Sequence, residues 1–161
     1  MKKVLSSTAR IRFQDCDPHQ HLNNTKYLDY FINAREDQVK DHLGLDIFEL
    51  ARTEGRIWVV GQHQISYIAP ALIMEEVLME SQVFEFGKRK IMIEMRMYDK
   101  DRKKLKSVLW STMIHYNIAT QQSIEHSDSL IQLFSEVLNP IEEQHFSDRV
   151  IKLREGMLHG S

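Results

Sequence analysis

The sequence predicts an α+β protein built around an antiparallel sheet. Two observations carry this. A long segment of helical period is followed by about four consecutive segments of strand character joined by short connections, which is the order of an antiparallel sheet rather than of crossover units. No βαβ repeat and no glycine-rich phosphate loop interrupts that order. The 161 residues predict one domain, spanning 1–161. Its core runs from about residue 8 to 119, and a C-terminal helix and tail occupy 120–161.

The elements follow in order. Thr8 to Phe13 alternates, with Ala9, Ile11 and Phe13 on one face and Thr8, Arg10 and Arg12 on the other, as in a half-buried strand. Pro18 and its polar surroundings end it. From Asn23 the period changes: Leu28, Phe31, Ile32, Val39 and Leu43 recur at helical spacing, Asn23 or Asn24 offers a cap, and Gly44 offers a stop. Leu45 to Arg56 reads as a short helix or loop. Ile57 to Tyr67 reads as a strand that breaks near Pro70. Glu76 to Phe86 and Lys90 to Tyr98 form a hairpin across Gly87. Asp99 to Arg102 turns the chain into an alternating face of Val108, Trp110, Thr112, Ile114 and Tyr116. Ser127 to Leu138 is helical, Pro140 ends it, and a polar, charge-rich tail follows.

Composition excludes several classes. Apolar residues make up 42% and charged residues 27%, which is the balance of a globular chain and not of a disordered one. The 21 basic and 23 acidic side chains leave a net charge of −2, so no global basic field points to nucleic acid. The lone Cys16 excludes an internal disulfide framework and fits a reducing, cytoplasmic setting. The basic start Met1-Lys2-Lys3 is not followed by a signal-length apolar run, and no segment has membrane-spanning length.

The densest polar cluster is Asp15-Cys16-Asp17-Pro18-His19-Gln20-His21-Leu22-Asn23-Asn24, between the first strand and the long helix. A helix N-terminus presents unpaired N–H groups that can stabilise an oxyanion. A neighbouring carboxylate and histidine supply base and acid. These are the parts of an acyl-transfer or ester-cleaving site. Asp15, Asp17, His19 and His21 alternate, which also admits a metal site in an extended segment, although Pro18 bends it and no further ligand cluster accompanies it. Cys16 reads as a small buried hydrophobe rather than a nucleophile.

Phe13-Gln14-Asp15-Cys16-Asp17-Pro18 resembles the opening motif of the 4-hydroxybenzoyl-CoA thioesterase family, and Asp17 matches the aspartate that family uses in catalysis. Gln20-His21-Leu22-Asn23-Asn24, followed by Tyr27, is more similar to its long-chain acyl-CoA thioesterases and to plant acyl-ACP thioesterases. Gln20 stands where many relatives have glycine and the fatty-acyl branches often have glutamine. The resemblance continues through Ser66-Tyr67-Ile68-Ala69-Pro70. It departs at Met74-Glu75-Glu76, where Gly-Asp is common, and at His19, where acyl-ACP relatives have asparagine.

The resemblance implies a hotdog fold, an antiparallel sheet wrapped around one long helix. It implies a homodimer or homotetramer with its active site at the subunit interface. It implies hydrolysis of a fatty acyl-CoA without cofactor or metal, the alternatives being an acyl-ACP or aromatic acyl-CoA thioesterase and a non-catalytic acyl-CoA-binding protein. Asp17 is then general base or nucleophile, against a plain reading as a turn cap. His21 orients Asp17 or polarises the thioester carbonyl, or is a structural histidine. Asn23 and Asn24 are caps that can also orient substrate. Lys88, Arg89 and Lys90 match a basic hairpin that holds coenzyme A phosphates in some relatives, against a plain reading as a solvated turn. Met74, Met79, Met92, Met95 and Met97 read as core packing, with an acyl tunnel as the alternative.

Overall fold

The computed structural model describes residues 1–159. A six-stranded antiparallel sheet runs in the order β1-β3-β4-β5-β2, with the two-residue β6 added to β5. Its strands are β1 (Leu5–Arg10), β2 (Arg56–Tyr67), β3 (Glu76–Phe86), β4 (Lys90–Asp99), β5 (Leu105–Asn117) and β6 (Gln122–Ser123). The helices are α1 (Tyr27–Leu43), α2 (Ile47–Glu54), α3 (Asp128–Val137) and α4 (Phe146–His159).

The long helix lies where the apolar period places it and ends at Gly44, whose φ of 65° and N–H bond to Lys40 O make a left-handed cap. It packs against β1 and β3. Phe31, Tyr27, Ala34 and Val39 meet Val77, Met79, Met95 and Met97 in the core. Gln38, also buried, is satisfied by Ser7 Oγ at 2.8 Å, Met79 O at 3.1 Å and the Ser81 hydroxyl at 2.5 Å.

Two sequence expectations change. The first strand is Leu5–Arg10 rather than Thr8 to Phe13. Pairing with β3 ends at Arg10↔Glu76, and Phe13 lies in a short 3-10 turn, 76% exposed. The charge-rich tail is helical: α4 packs on β5, on the face away from α1. Expectations for residues 160–161 fall outside the described residues.

That packing explains the alternation in β4. Ile91, Ile93, Met95 and Met97 face α1, while Glu94, Arg96 and Tyr98 point to the other side and are buried as well. Glu94, 0% exposed, accepts from Arg96 Nη1 at 2.5 Å, Arg149 Nε and Nη2 at 2.8 and 2.9 Å, and Trp110 Nε1 at 2.8 Å. Burial alone would raise its carboxyl pKa, but these donors outweigh it and hold it below the usual range. Arg149 belongs to α4, so one carboxylate ties the terminal helix to the sheet. Removing one partner of a buried ion pair leaves an uncompensated charge. Glu94→Ala is expected to lower the unfolding free energy by about 3–5 kcal/mol, read by urea denaturation; a loss below about 1 kcal/mol, the worth of an exposed pair, would show the cluster to be solvated.

Candidate active site

The Asp17 loop is a tight turn pinned at both sides. Cys16 bridges Leu22, and His21 bridges Leu72 in the segment before β3. Leu22 N donates to Ala71 O at 2.8 Å and Ile73 N to Gln20 O at 2.9 Å. Gln20 takes the left-handed conformation, φ 65°, that closes the turn. Within it Asp17 Oδ1 accepts from His19 N at 2.9 Å and His21 N at 3.1 Å. The cap reading of Asp17 is therefore realised by one oxygen, and Oδ2 accepts no protein hydrogen bond among the described residues.

The other candidates fall around it. His19 is exposed on the turn, and the His21 ring is half-buried 6.4 Å from the His19 ring. Asn23 Oδ1 accepts from Thr25 N and Oγ1, so that first-turn N–H is not free for an oxyanion, while the Asn23 amide nitrogen remains a donor. Asn24 is exposed, and its carbonyl accepts from Tyr67 OH at 3.1 Å. Asp15 turns away to accept from Tyr30 OH at 2.6 Å, and burial, followed by this bond, pushes the Tyr30 pKa up to about 12. Among the described residues no three His, Cys, Asp or Glu side chains cluster as metal ligands would.

The basic hairpin lies at the other end of the sheet. The Asp17 loop docks beside residues 71–75, ahead of Glu76, and the hairpin follows Phe86. The 11 residues of β3 between them span roughly 35 Å. At the hairpin, Arg89 Nη1 donates to Ser123 O at 2.6 Å and Lys90 pairs with Glu85 at 3.1 Å, leaving Lys88 without a side-chain partner among the described residues.

The sequence reading held an acyl tunnel only as the alternative to core packing, and the structure contains a cavity. About 390 Å³ lies between α1, α2 and the concave face of β2, β4 and β5, with α3 closing one side. Its wall is mostly aliphatic, including Ile32, Val39, Leu43, Met95, Leu109 and Met113; of the five methionines singled out in the sequence Met95 alone lines it, while Met79 and Met97 pack in the core. Arg35 and His63 also line it. Asp17 does not. Arg35 was legible in one respect: it stands at helical spacing from Phe31 and Val39, a charge on an apolar stripe.

A family model described as the thioesterase-like superfamily matches residues 11–136. The chain belongs to this superfamily. No curated protein matches by sequence. Among solved structures the superfamily member resembles a protein described as an oleoyl thioesterase from Lactobacillus plantarum, with 20% identity and a TM-score of 0.76 over 89% of this chain. It spans 54% of that protein's length. It also resembles a Staphylococcus aureus protein solved in complex with CoA, at 14% identity and a TM-score of 0.75, covering 90% of this chain and 92% of the other. A DHNA-CoA thioesterase from the same organism gives 15% identity and a TM-score of 0.71, over 98% of this chain and 95% of the other. At these identities the likeness is one of fold, and it agrees with the hotdog architecture expected from the sequence.

The basic hairpin of this superfamily member rests on buried histidines. His126 Nδ1 meets Gly87 O at 3.0 Å, and its Nε2 accepts from Trp58 Nε1 at 3.1 Å. His115 stacks against both rings, 4.6 Å from Trp58 and 4.9 Å from His126, and neither of its ring nitrogens has a partner among the described residues. Burial lowers both histidine pKa values below the ordinary 6.5. The unfolded chain therefore binds more protons below that value, and stability present above it is lost as pH falls through the folded pKa values. The melting temperature should fall on acidification below pH 6.5. His115→Phe should flatten that fall in a circular-dichroism melt; an unchanged slope would place the acid sensitivity elsewhere.

Proposed function

We propose that the protein hydrolyses acyl-CoA thioesters as a homodimer in which Asp17 of one copy works at the cavity and basic hairpin of the other. The observation that carries this is the arrangement of the two ends of β2. Among the described residues this 12-residue strand is bonded only to β5, and Val60 and Tyr67 on it are 47% and 45% exposed. A long open edge of this kind invites pairing with another chain. Its Tyr67 end lies at the Asp17 loop, where Tyr67 bonds Asn24 and meets the Tyr27 ring edge-on at 5.1 Å. Its Arg56 end lies beside α2 and, through Asn117 and Ile114 of β5, beside Lys90.

Antiparallel pairing of two copies along β2 sets the Tyr67 end of each beside the Arg56 end of the other. Carboxylate, apolar cavity and phosphate-binding cations, parted within one chain, would then meet twice under two-fold symmetry. The S. aureus relative's bound CoA supports the choice of carrier. The aliphatic wall suits an alkyl chain better than a flat ring, and 390 Å³ is an ordinary ligand volume.

In this reading the two main-chain bonds hold Asp17 still and leave Oδ2 for chemistry. As a base, Oδ2 takes a proton from water; the oxygen attacks the thioester carbonyl, the C–S bond breaks, and the proton goes to the departing thiolate. As a nucleophile it attacks the carbonyl carbon and displaces the thiolate, leaving a mixed anhydride that water then opens to two carboxylates, one proton going to the thiolate. The Asn23 amide supplies a hydrogen-bond donor for the oxyanion.

Asp17→Asn should keep the turn, since the amide oxygen can still accept the two N–H bonds, and should lower kcat about 10²- to 10⁴-fold in a thiol-release assay. Asp15→Asn is the control with a smaller effect. Near-normal turnover in folded Asp17→Asn would leave Asp17 as a turn residue only.

The assembly has its own test. Mixing Asp17→Asn chains with Lys88→Ala/Lys90→Ala chains, then exchanging subunits, should give more turnover than either parent, because one centre of each mixed dimer regains both intact halves. No gain after verified exchange would mean that carboxylate and hairpin do not serve one centre.

A further inference from the structure

The cavity contains a cation that no side chain among the described residues neutralises. Arg35 presents its guanidinium at the wall beside Ser81, itself 0% exposed. Its Nη1 donates to Ser81 Oγ at 2.9 Å, a neutral acceptor whose own proton goes to Gln38. Its Nε is buried without a partner, and no carboxylate among the described residues forms an ion pair with it. Burial pushes its pKa down to about 10, so it stays charged at neutral pH. Glu36 lines the same cavity, but successive residues of a helix do not face each other. A second unpartnered polar atom, His63 Nδ1, is buried on the wall formed by β2.

Arg35 as a residue is half-buried, but its Nε is sealed from solvent without an acceptor, and such an unmet donor on a cation is costly unless an anion meets it. Its fork matches a carboxylate in particular. Depth tells which end of a ligand it reads. The rim carries the exposed apolar side chains Phe48, Val60 and Ile32, whereas Arg35 sits against the buried middle of β3. A chain entering at the rim brings its far end to Arg35.

We propose that the cavity selects an acyl group whose end remote from the thioester bears a carboxylate, as in the monothioester of a medium-chain dicarboxylic acid, with Arg35 holding that carboxylate and His63 adding a hydrogen bond. This rests on the acyl-CoA reading above for the thioester end, but the cavity can be tested without turnover.

The probe is the monomethyl ester of octanedioic acid, with an ester at one end and a carboxylate at the other. Its control is the methyl ester of the matching ω-hydroxy acid, neutral and nearly the same length. Calorimetric titration of the whole protein should show the acidic probe binding about tenfold to a hundredfold more tightly, the worth of a hydrogen bond to a charged group. Arg35→Met should remove that advantage and keep binding of the neutral probe. Equal affinities for the unaltered protein, no binding of either probe, or an advantage that survives in Arg35→Met each overturns the proposal. If Arg35→Met does not fold, the comparison of the two probes on the unaltered protein decides alone. If Arg35 instead meets a carboxylate of the second copy, the probes will not be distinguished and Arg35→Met will dissociate the dimer, which also overturns it. In a separate arm, octanedioyl-CoA should be hydrolysed with higher kcat/KM than octanoyl-CoA. Discrimination between the free probes without turnover of either CoA ester would sink the hydrolase reading and leave the cavity's selectivity standing.

Discussion

A helix about 10 Å across cannot cover a five-strand ladder whose spacing of ~4.8 Å makes it about 19 Å wide. That mismatch in width shapes this molecule. α1 lies over β1 and β3 and fills that side with Phe31, Ala34 and Val39. The concave surface of β4, β5 and β2 is left over. Short helices cover part of it: α2 lies beside the start of β2, and α3 packs against β3 and brings Phe134 edge-on to Trp58 of β2. What they do not fill is the cavity, and what they do not cap is the outer edge of β2. Binding volume and free edge thus have one cause.

The other face of the sheet obeys a different rule. It carries Glu80, Glu94, Arg96 and Trp110, side chains that alone would want water, and α4 nevertheless covers much of it. The solution is a connected network. Glu80 receives Arg96 and Arg102, Glu94 receives Arg96, Arg149 and Trp110, and Gln82 accepts from Arg96. Phe146 adds an edge-on contact to Trp110 at 5.4 Å. The network does not add much net stability over an apolar interface of similar size, but it demands one register of α4 on the sheet, since any slip strands a buried charge.

Period was the legible part of the fold. The α1 stripe, the Gly87 hairpin and the alternation of β4 follow from spacing alone, because a helix face and a strand face are one-dimensional patterns. The first strand was misplaced because Ala9, Ile11 and Phe13 alternate beyond the point where β3 stops pairing; pairing is a property of two segments, and one segment cannot show it. Helix α4 was hidden by its polarity. It buries Val150 and the Arg149 guanidinium against a partly charged surface, so its inward face does not read as apolar. The candidate site was legible as a motif at Asp17, but the distance from Asp17 to Lys88 was not, since a motif carries no distances and the passes between the two loops are fixed only once the sheet is paired. Arg35 could be seen as a charge out of place on a stripe, yet only the surrounding cavity gives that charge a meaning.

The rigidity of the Asp17 turn and the openness of β2 belong to one argument. A carboxylate serves as base or nucleophile only when held within a fraction of an ångström of its target, and here the turn is bridged on both flanks and closed by Gln20 and by two bonds to Oδ1. Such precision is useless to a cavity at the far end of the same sheet. Each long element carries the chain from one end of the sheet to the other, and three of them, α1, β2 and β3, lie between the Asp17 loop and the hairpin, so the two loops fall at opposite ends. Nothing inside one chain can undo that, short of a long return connection. The proposed two-fold axis at the β2 edge would undo it without any, by setting the Asp17 end of one copy against the hairpin end of the other. On that proposal the fold would gain from being left unfinished at that edge, and the exposed Val60 and Tyr67, a liability for a lone chain, would be the surface on which two half-sites are joined.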